Sequence, residues 1–317
     1  MTSATQRFRA ALGRVVPRAI ANRIRAHLPR RWTVESVITH EGALERTVRR
    51  AFTNRKPTLH HLDVHVVDHC NLACKGCEHY SAIADPAFAE LPVVVRDLER
   101  LADLFDGIEQ TYLLGGEPLL HPDVASFVTE ARRILPDTRL SLMTNGILVT
   151  RMAAEVWDAL REAHVTLMVD SYPISIDHAR IDELGVEHGV RIDWMPPNEE
   201  FYKIPIDLGA SADPRISFEK CRGVANCAIV REGRIYPCAH IAYADILIEK
   251  FGLTGIDPTN ADSVDIHGDV SGDDIIDALT RPAPWCAHCD FDSFSTYAWG
   301  RSTGDASEWI STKGTDS

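Results

Sequence analysis

The sequence predicts an α/β fold built around a parallel sheet. Between residues 58 and 195, short apolar strands alternate with segments whose apolar side chains recur every three or four residues, as they do in helices. Such alternation is typical of strands joined by right-handed helical crossovers, and these crossovers form parallel sheets. The composition agrees with this class, since 45% hydrophobic and 25% charged residues in a chain of 317 are typical of a globular protein.

The elements of this pattern follow one another in order. Polar and apolar residues alternate in the first strand, residues 61–69, which is also rich in β-branched side chains. Further strands are predicted at 110–114, 139–144, 164–169 and 190–194. Helical spacing of apolar residues predicts helices at 91–105 and 124–135. Because parallel barrels place their chemistry in the loops after the strands, we expect functional residues at the strand ends.

Three cysteines follow the first strand in a spacing that suits a shared ligand. Cys70, Cys74 and Cys77 are separated by three residues and then by two. A short turn lets three thiolates meet one face of an iron–sulfur cube, and stopping at three leaves the fourth iron without a protein ligand. A structural zinc site is the alternative, although closed zinc sites use four ligands in paired spacings.

A second motif, Gly115-Gly116-Glu117-Pro118, follows the second strand directly. Glycines let a backbone approach a ligand closely, and the glutamate offers a charge-assisted acceptor for an ammonium group. With the cysteine motif before it, the chain resembles the radical SAM superfamily. Its three cysteines stand where that family's cluster ligands stand, and Gly115 to Pro118 match the family's motif for the amino group of S-adenosylmethionine (SAM). The family's usual aromatic residue before the third cysteine is replaced by Gly76, so Tyr80 is a candidate for the adenine contact. Because it flanks the cysteine loop, Tyr80 is also a candidate catalytic side chain.

The resemblance implies a core of the partial (β/α)6 TIM-like barrel type over residues 58–205. Polar residues at the strand ends would then face the cofactors, at Thr144, Asn145, Asp170 and Ser171. A plain turn is the alternative role for Asn145, and Asp170 is open to substrate contact, cofactor contact or a loop role. The implied chemistry is reductive cleavage of SAM at a [4Fe-4S] cluster, giving a 5′-deoxyadenosyl radical that takes a hydrogen atom from substrate. An electron donor such as flavodoxin or ferredoxin is implied as a partner.

A third cysteine-rich stretch runs from Cys221 to Cys238. The residues around Gly233 predict a β-hairpin that brings these two cysteines together. A downstream Cys-x-x-Cys pair, Cys286 and Cys289, completes a set of four. This arrangement resembles the auxiliary-cluster region called SPASM, or its shortened form twitch, and implies a second [4Fe-4S] cluster within residues 206–295. Zinc on the same four ligands is the alternative.

The reaction and the substrate are less constrained by the sequence. Cys227 belongs to neither cysteine set, and it is open to being a buried thiol, an alternative ligand or a hydrogen-atom donor. We expect an oxidoreductase that oxidises its substrate with the auxiliary cluster as electron acceptor; epimerisation with Cys227 as donor and peptide maturation or cross-linking are alternatives. A small polyol, sugar or nucleotide-sugar is favoured, since no N-terminal winged-helix module for a peptide is evident. A non-enzymatic iron–sulfur or zinc protein would have no use for Gly115 to Pro118.

The two ends of the chain differ from its centre. Residues 1–57 are predicted to form a basic amphipathic helical extension, since residues 1–56 hold thirteen Lys or Arg against three Glu. Packing on the acidic remainder, docking to a partner or anionic surface, and organelle targeting are all open for it. Residues 296–317 are expected to be a C-terminal segment with a disordered tail, and the aromatic stretch after Cys289 to return across the barrel mouth.

Several classes of function are excluded by the same composition. The chain has no run of eighteen apolar residues and no secretory signal, so we expect a cytoplasmic protein without a transmembrane segment. Eight cysteines in such a chain indicate metal or redox chemistry rather than disulfides. The acidic balance after residue 56 argues against nucleic-acid binding. Motifs of zinc proteases, serine hydrolases and phosphate-binding loops are absent from the sequence.

Overall fold

The structure is a computed structural model, and it describes residues 56–197, 200–221 and 228–311. From Thr58 onward the chain forms one compact unit. Residues 1–55 of the predicted N-terminal extension, Cys227 and the predicted tail at 312–317 lie outside the described residues. No helix in the described part of the chain is both long enough and apolar enough to cross a membrane.

Most strands of the described residues belong to a single sheet. In chain order the strands are β1 (Thr58–Val67), β2 (Gly107–Gly115), β3 (Arg139–Thr144), β4 (Thr166–Val169), β5 (Ile192–Trp194), β6 (Glu200–Lys203), β7 (Ile229–Arg231), β8 (Arg234–Tyr236), β9 (Val264–Asp265) and β10 (Ser295–Ala298). The main sheet has the order β5-β4-β3-β2-β1-β7-β8-β9, and β6 pairs with β10 in a separate antiparallel sheet. The predicted α/β class with a parallel sheet is confirmed.

Helices connect these strands as the sequence pattern predicts. The α-helices are α1 (Leu91–Leu104), α2 (Val124–Ile134), α3 (Ala154–Glu162), α4 (His178–His188), α5 (Pro214–Cys221), α6 (Ala239–Ala242), α7 (Ala244–Phe251) and α8 (Gly272–Leu279). Short 3-10 turns occupy Pro118–Leu120, Val149–Arg151, Pro284–His288, Phe291–Ser293 and Ala306–Glu308. The boundaries differ from the predicted ones by one to three residues at most strands and helices, because strand and helix ends are weakly encoded in the sequence.

The main core lies between the sheet and the helices that follow its strands. Helices α1 to α4 and α8 bury apolar side chains in it, for example Leu98 of α1, Phe127 of α2 and Trp157 of α3. From β1, alternate residues such as Leu62 and Val64 enter the same core. Period-2 strands and period-3.6 helices therefore meet along their apolar faces, and the strand ends are left free to carry the site.

The hairpin β7–β8 joins the main sheet directly. Strand β7 pairs with β1 in parallel, with Asp63 opposite Ile229 and Val64 opposite Val230. Together with the parallel pairs from β1 to β5, this makes six parallel strands. The sixth strand thus comes from beyond residue 205, where the core was predicted to end. As a result the hairpin, which precedes Cys238, is fixed beside the strand that leads to Cys70.

A second apolar core lies under the C-terminal part of the described chain. Tyr80 from the loop after β1, Ile206, Tyr243, Trp285 and Trp309 are among its buried members. It therefore joins the cysteine loop of β1 to helices α6 and α7 and to the last described residues. This second core attaches the two predicted cysteine sets to a common support.

Candidate active site

The loop after β1 gathers Cys70, Cys74 and Cys77 at the carboxyl edge of the parallel strands. Burial raises the pKa of each thiol to about 11. The charge of each cysteine also raises the pKa of another: Cys77 acts on Cys70, Cys70 acts on Cys74, and Cys74 acts on Cys77. The three thiols therefore lie close enough to interact electrostatically. Buried thiols of this kind become thiolates when a metal centre compensates their charge.

N–H groups of Leu72, Asn145 and Trp299 are among those that point at the sulfurs of this loop. The backbone of Leu72 donates to Cys70 Sγ at 3.4 Å, and Asn145 Nδ2 approaches the same sulfur at 3.6 Å. Trp299 Nε1 donates to Cys74 Sγ at 3.2 Å. Hydrogen bonds to cysteine sulfur are a feature of iron–sulfur sites, where they tune the cluster. Among the described residues no group of three or more His, Cys, Asp or Glu is spaced for a single metal ion.

Gly115 and Gly116 are required where the end of β2 passes the end of β1. A Cβ on Gly115 would lie closer than 3.0 Å to the Val67 carbonyl oxygen, and one on Gly116 closer than 3.0 Å to that of His69. The Gly116 N–H donates to Val67 at 2.8 Å, and the Glu117 N–H donates to His69 at 3.1 Å. The close approach that the sequence assigned to a ligand is therefore made by the cysteine loop's own backbone.

Glu117 is completely buried and links the end of β2 to the end of β3. Its carboxylate accepts hydrogen bonds from Leu119 N at 3.0 Å, Thr144 Oγ1 at 2.7 Å and Asn145 N at 2.8 Å. Burial raises the pKa of Glu117 to about 7 against the effect of these bonds, and the nearby charge of Asp170 adds to the rise. A carboxylate has about four acceptor positions, and these donors occupy three of them.

Asp170 supplies a second carboxylate at the same edge. Burial raises its pKa to about 6, and its charge also acts on Cys74. None of the described residues donates a hydrogen bond to its side chain, in contrast to Glu117. Two largely buried carboxyls and three thiols concentrate negative charge here, which makes the site suited to a cationic ligand.

Two other predicted residues have mainly structural contacts. Ser171 Oγ donates to the Met195 carbonyl at 2.6 Å and so joins the ends of β4 and β5. Pro118 is buried and begins the turn Pro118–Leu120, for which Glu117 is the cap. Thr144 and Asn145 reach the site through Glu117, and Asn145 also donates to Asn71 in the cysteine loop at 2.7 Å.

Tyr80 has a different position from the predicted one. It is completely buried in the second core, with its hydroxyl 2.8 Å from His240 Nδ1, and offers no exposed face to an adenine. The space beside Gly76 is filled by Tyr297, whose hydroxyl would clash with a Cβ there. The aromatic ring next to the third cysteine thus comes from the C-terminal part of the chain.

The C-terminal segment from Ser295 to Trp309, here called the strap, runs over the cysteine loop. The aromatic stretch after Cys289, which was predicted to return across the barrel mouth, bonds to the loop that follows β1. Besides the bond from Trp299 to Cys74, the strap's hydrogen bonds to the loop include Lys75 N to Gly300 O at 2.8 Å, Ser302 N to Ala73 O at 2.8 Å, Tyr297 Oη to Lys75 O at 2.8 Å and Trp309 Nε1 to Cys77 O at 2.9 Å. Sequence reasoning did not assign these strap residues to the site, because nothing local in the sequence shows their partners.

The second cysteine set also converges. Cys221 ends α5, Cys238 immediately precedes α6, and Cys286 and Cys289 lie in and just after the turn Pro284–His288. Burial raises the pKa of Cys238, and the charges of Cys289, Cys286 and Cys221 add to the rise. All seven described cysteines are free of disulfides. Four thiols in one neighbourhood suit a four-cysteine iron–sulfur cluster, whereas the described residues hold them at positions that are not spaced for a single ion such as zinc.

Comparison with known proteins agrees with this site. Residues 64–195 match the family model described as the Radical SAM superfamily. Over these residues the chain is similar to the radical SAM superfamily. The predicted enzyme class agrees with this match, and the cofactors of that superfamily, a [4Fe-4S] cluster and SAM, are those that the three-cysteine site fits.

The relatives are similar over part of their length. The GTP 3′,8-cyclase of Trichodesmium erythraeum (strain IMS101) is 32% identical over 122 residues, which are 35% of this chain and 35% of that protein. That of Acidothermus cellulolyticus (strain ATCC 43068 / DSM 8971 / 11B) is 37% identical over 117 residues, 34% of this chain and 32% of that protein. The chain thus spans about a third of the length of these curated relatives. Among solved structures, BtrN in complex with AdoMet and 2-DOIA is 15% identical with a TM-score of 0.45, covering 81% of this chain and 100% of that chain.

Proposed function

We propose that this protein is a radical SAM enzyme that oxidises a small hydroxyl-rich substrate. The observation that carries the proposal is the juxtaposition of three buried thiols with the carboxyls of Glu117 and Asp170 at one edge of the sheet. When bound there, a [4Fe-4S] cluster and SAM supply a 5′-deoxyadenosyl radical that takes a hydrogen atom from substrate.

The residues of the site have separate tasks in this proposal. Cys70, Cys74 and Cys77 hold the cluster, and three ligands leave one iron open to SAM. Glu117 keeps one acceptor position for the SAM ammonium while its other bonds fix its orientation. Asp170, whose carboxylate has no donor among the described residues, pairs with a second polar or cationic group of SAM or of substrate. Both carboxylates gain stability from a cation because burial raises the pKa of each.

The second cysteine set supports oxidation as the outcome. Cys221, Cys238, Cys286 and Cys289 would hold an auxiliary [4Fe-4S] cluster, which supplies an acceptor for an electron from substrate. The charge of Glu78, which lies beside Cys77, raises the pKa of Cys289. On the same loop, the charges of Cys77, Cys238 and Cys289 raise the pKa of Tyr80. These electrostatic effects, which reach both cysteine sets through Glu78 and Tyr80, favour one shared reaction over two unrelated functions.

The polar side of β1 supports a hydroxyl-rich substrate. Leu62, Val64 and Val66 of this strand pack into the main core, so His61, Asp63 and His65 lie on its opposite side. His61 Nε2 is 2.8 Å from Asp63 Oδ1, and His65 Nδ1 is 3.1 Å from the Tyr243 hydroxyl. A polar sheet face with hydrogen-bonding groups suits a polyol, sugar or nucleotide-sugar better than an apolar peptide side chain.

A nucleoside triphosphate is the second candidate substrate. It is favoured by the relatives described above, which carry the name GTP 3′,8-cyclase and match about a third of this chain at 32% and 37% identity. In that case the hydrogen atom would leave a ribose carbon, and the product would be a rearranged nucleotide rather than an oxidised polyol.

Deuterium transfer tests the substrate class. The anaerobic enzyme, dithionite and SAM are incubated with fully deuterated polyols, sugars or nucleotide-sugars, with ribose-deuterated GTP, or with a peptide mixture. Deuterium in 5′-deoxyadenosine is then measured by mass spectrometry. We expect transfer from the hydroxyl-rich class, together with a product two mass units lighter than its undeuterated substrate in parallel unlabelled reactions. Transfer from GTP or peptide alone would overturn this substrate assignment.

The auxiliary set is tested by the double variant Cys286→Ala/Cys289→Ala. It is expected to lose about four of the irons while retaining cleavage of SAM at the first cluster. The oxidised product should disappear because its electron acceptor is missing. Zinc in place of iron at these positions, by elemental analysis of protein purified without oxygen, would favour the zinc alternative.

A further inference from the structure

The indole of Trp299 makes a direct contact with the first cysteine set. Its Nε1 donates to Cys74 Sγ at 3.2 Å across 225 residues of sequence. The donor to Cys70 from Leu72 is a local backbone N–H within the loop. Trp299 therefore brings a hydrogen bond to a ligand sulfur from a part of the chain that otherwise lies outside the barrel.

Strap residues before and after Trp299 hold its indole in place. Cys74 and Arg301 form an isolated antiparallel bridge, and Lys75 N donates to the Gly300 carbonyl at 2.8 Å. On the other side, the Tyr297 hydroxyl donates to the Lys75 carbonyl at 2.8 Å. With anchors two residues before it and immediately after it, Trp299 has little freedom to turn away from the sulfur.

A hydrogen bond to a ligand sulfur has a known electrostatic effect. Adding an electron to an iron–sulfur cluster increases the negative charge on its sulfurs, and an N–H dipole stabilises the reduced form more than the oxidised form. The reduction potential therefore rises when such a bond is made. For a SAM-cleaving cluster, this decides how readily an external donor can reduce it.

We propose that Trp299 raises the reduction potential of the cluster on Cys70, Cys74 and Cys77 through its hydrogen bond to the Cys74 sulfur. It is a positioning residue of the strap and touches no reacting atom. The inference rests on the proposed function, because it requires a cluster at these three cysteines. It adds that the C-terminal strap, which lies outside the barrel, sets the redox property of the barrel's cluster.

The test is the variant Trp299→Phe, which keeps an aromatic ring and removes the N–H. Potentiometric titration followed by electron paramagnetic resonance measures the potential of the cluster whose signal changes on adding SAM. We expect a shift to more negative potential that corresponds to about a tenfold change in the one-electron equilibrium constant, or about 59 mV. The titration does not depend on turnover, so it separates tuning from loss of activity.

Tyr297→Phe is the matched control. It removes a strap anchor to the backbone of Lys75 and leaves the sulfurs untouched. We expect an unshifted potential in this variant. Equal shifts in both variants would mean that anchoring of the loop, and not the N–H to sulfur, sets the potential, and would overturn the proposal. An unchanged potential in Trp299→Phe would do the same.

A second variant tests the proposal if Trp299→Phe does not retain its cluster. Site-specific replacement of Trp299 by 3-benzothienylalanine keeps the indole shape and exchanges the N–H for sulfur. The same negative shift is expected, and its absence would overturn the proposal. Failure of the proposed function is recognised separately, since wild-type protein would then show no signal that responds to SAM.

Discussion

Replacing Glu117 by Gln is expected to weaken both the fold and the binding of SAM. Three donors now bond its carboxylate, namely Leu119 N, Thr144 Oγ1 and Asn145 N. A glutamine amide has one oxygen, so keeping the bonds to Leu119 and Thr144 turns its NH2 group towards the Asn145 N–H. One buried donor is left unpaired, at a cost of about 1–3 kcal/mol. The comparison is made at pH 5, where the raised pKa of about 7 keeps folded Glu117 protonated, so that removal of a buried charge does not offset this cost.

This cost has a measurable size in two assays. A loss of about 1–3 kcal/mol lowers the melting temperature by about 2–12 °C for a unit of this size. Removing a charge-assisted bond to the SAM ammonium costs about 1.5–3 kcal/mol, which weakens SAM binding by about tenfold to a hundredfold. Differential scanning calorimetry of the unloaded protein gives the first quantity, and isothermal titration calorimetry of the cluster-loaded protein gives the second.

Asp170→Asn is the matched control because it removes a carboxylate charge from the same site. No described residue donates to the Asp170 side chain, so the change unpairs no donor. Burial raises the pKa of Asp170 to about 6, which means that its charge at neutral pH disfavours the fold. We expect weaker SAM binding with an unchanged or higher melting temperature. Equal melting temperatures for Glu117→Gln and wild type would refute the claim that Glu117 stabilises the fold by linking the ends of β2 and β3.

Three further predictions concern the loop, the pH dependence and the unassigned thiol. Gly116→Ala should displace the cysteine loop and lower the iron content, because its Cβ would meet the His69 carbonyl. Gly107→Ala, whose Cβ would have nothing within 4 Å, should bind the normal amount of iron. Equal iron content in both variants would contradict this. SAM affinity should rise with pH and level off above about 7, because burial raises the Glu117 pKa to about 7 and only the ionised carboxylate binds the ammonium. The stability of the free protein should fall as pH rises over the same range, because folded Glu117 holds its proton above the usual pKa of 4.5. A flat calorimetric affinity between pH 5 and pH 8 would exclude this linkage. Cys227→Ala, with full iron, should retain product formation if oxidation is the outcome, and loss of product together with solvent deuterium in the wild-type product would instead favour epimerisation.

The parts of the site that lie close together in sequence could be predicted from it. The alternation in residues 61–69 and the helical spacing after residue 91 are local patterns, and they placed β1 and α1 to within a few residues. The spacing of Cys70, Cys74 and Cys77 is also local, so their convergence follows from a short turn. The hairpin around Gly233 was predictable for the same reason, as its turn residue adopts a positive φ of 77°.

Contacts between distant segments could not be predicted. Nothing in the sequence shows that β7 pairs with β1, since both are apolar strands with several possible partners. Trp299 and Tyr297 read as part of an aromatic stretch, and their bonds to Cys74 and Lys75 depend on the path of the strap. Tyr80 was misplaced because its position next to the cysteines suggested a cofactor contact, while its ring completes the second core.

The central claim is that Cys70, Cys74 and Cys77 hold the cluster at which SAM is cleaved. It is tested most directly by comparing reconstituted wild-type protein with the triple variant in which all three are alanine. Two [4Fe-4S] clusters correspond to about eight irons in the wild type and about four in the variant. With dithionite and SAM, the wild type should form 5′-deoxyadenosine and the triple variant should form none. Undiminished 5′-deoxyadenosine formation by the triple variant would contradict the account.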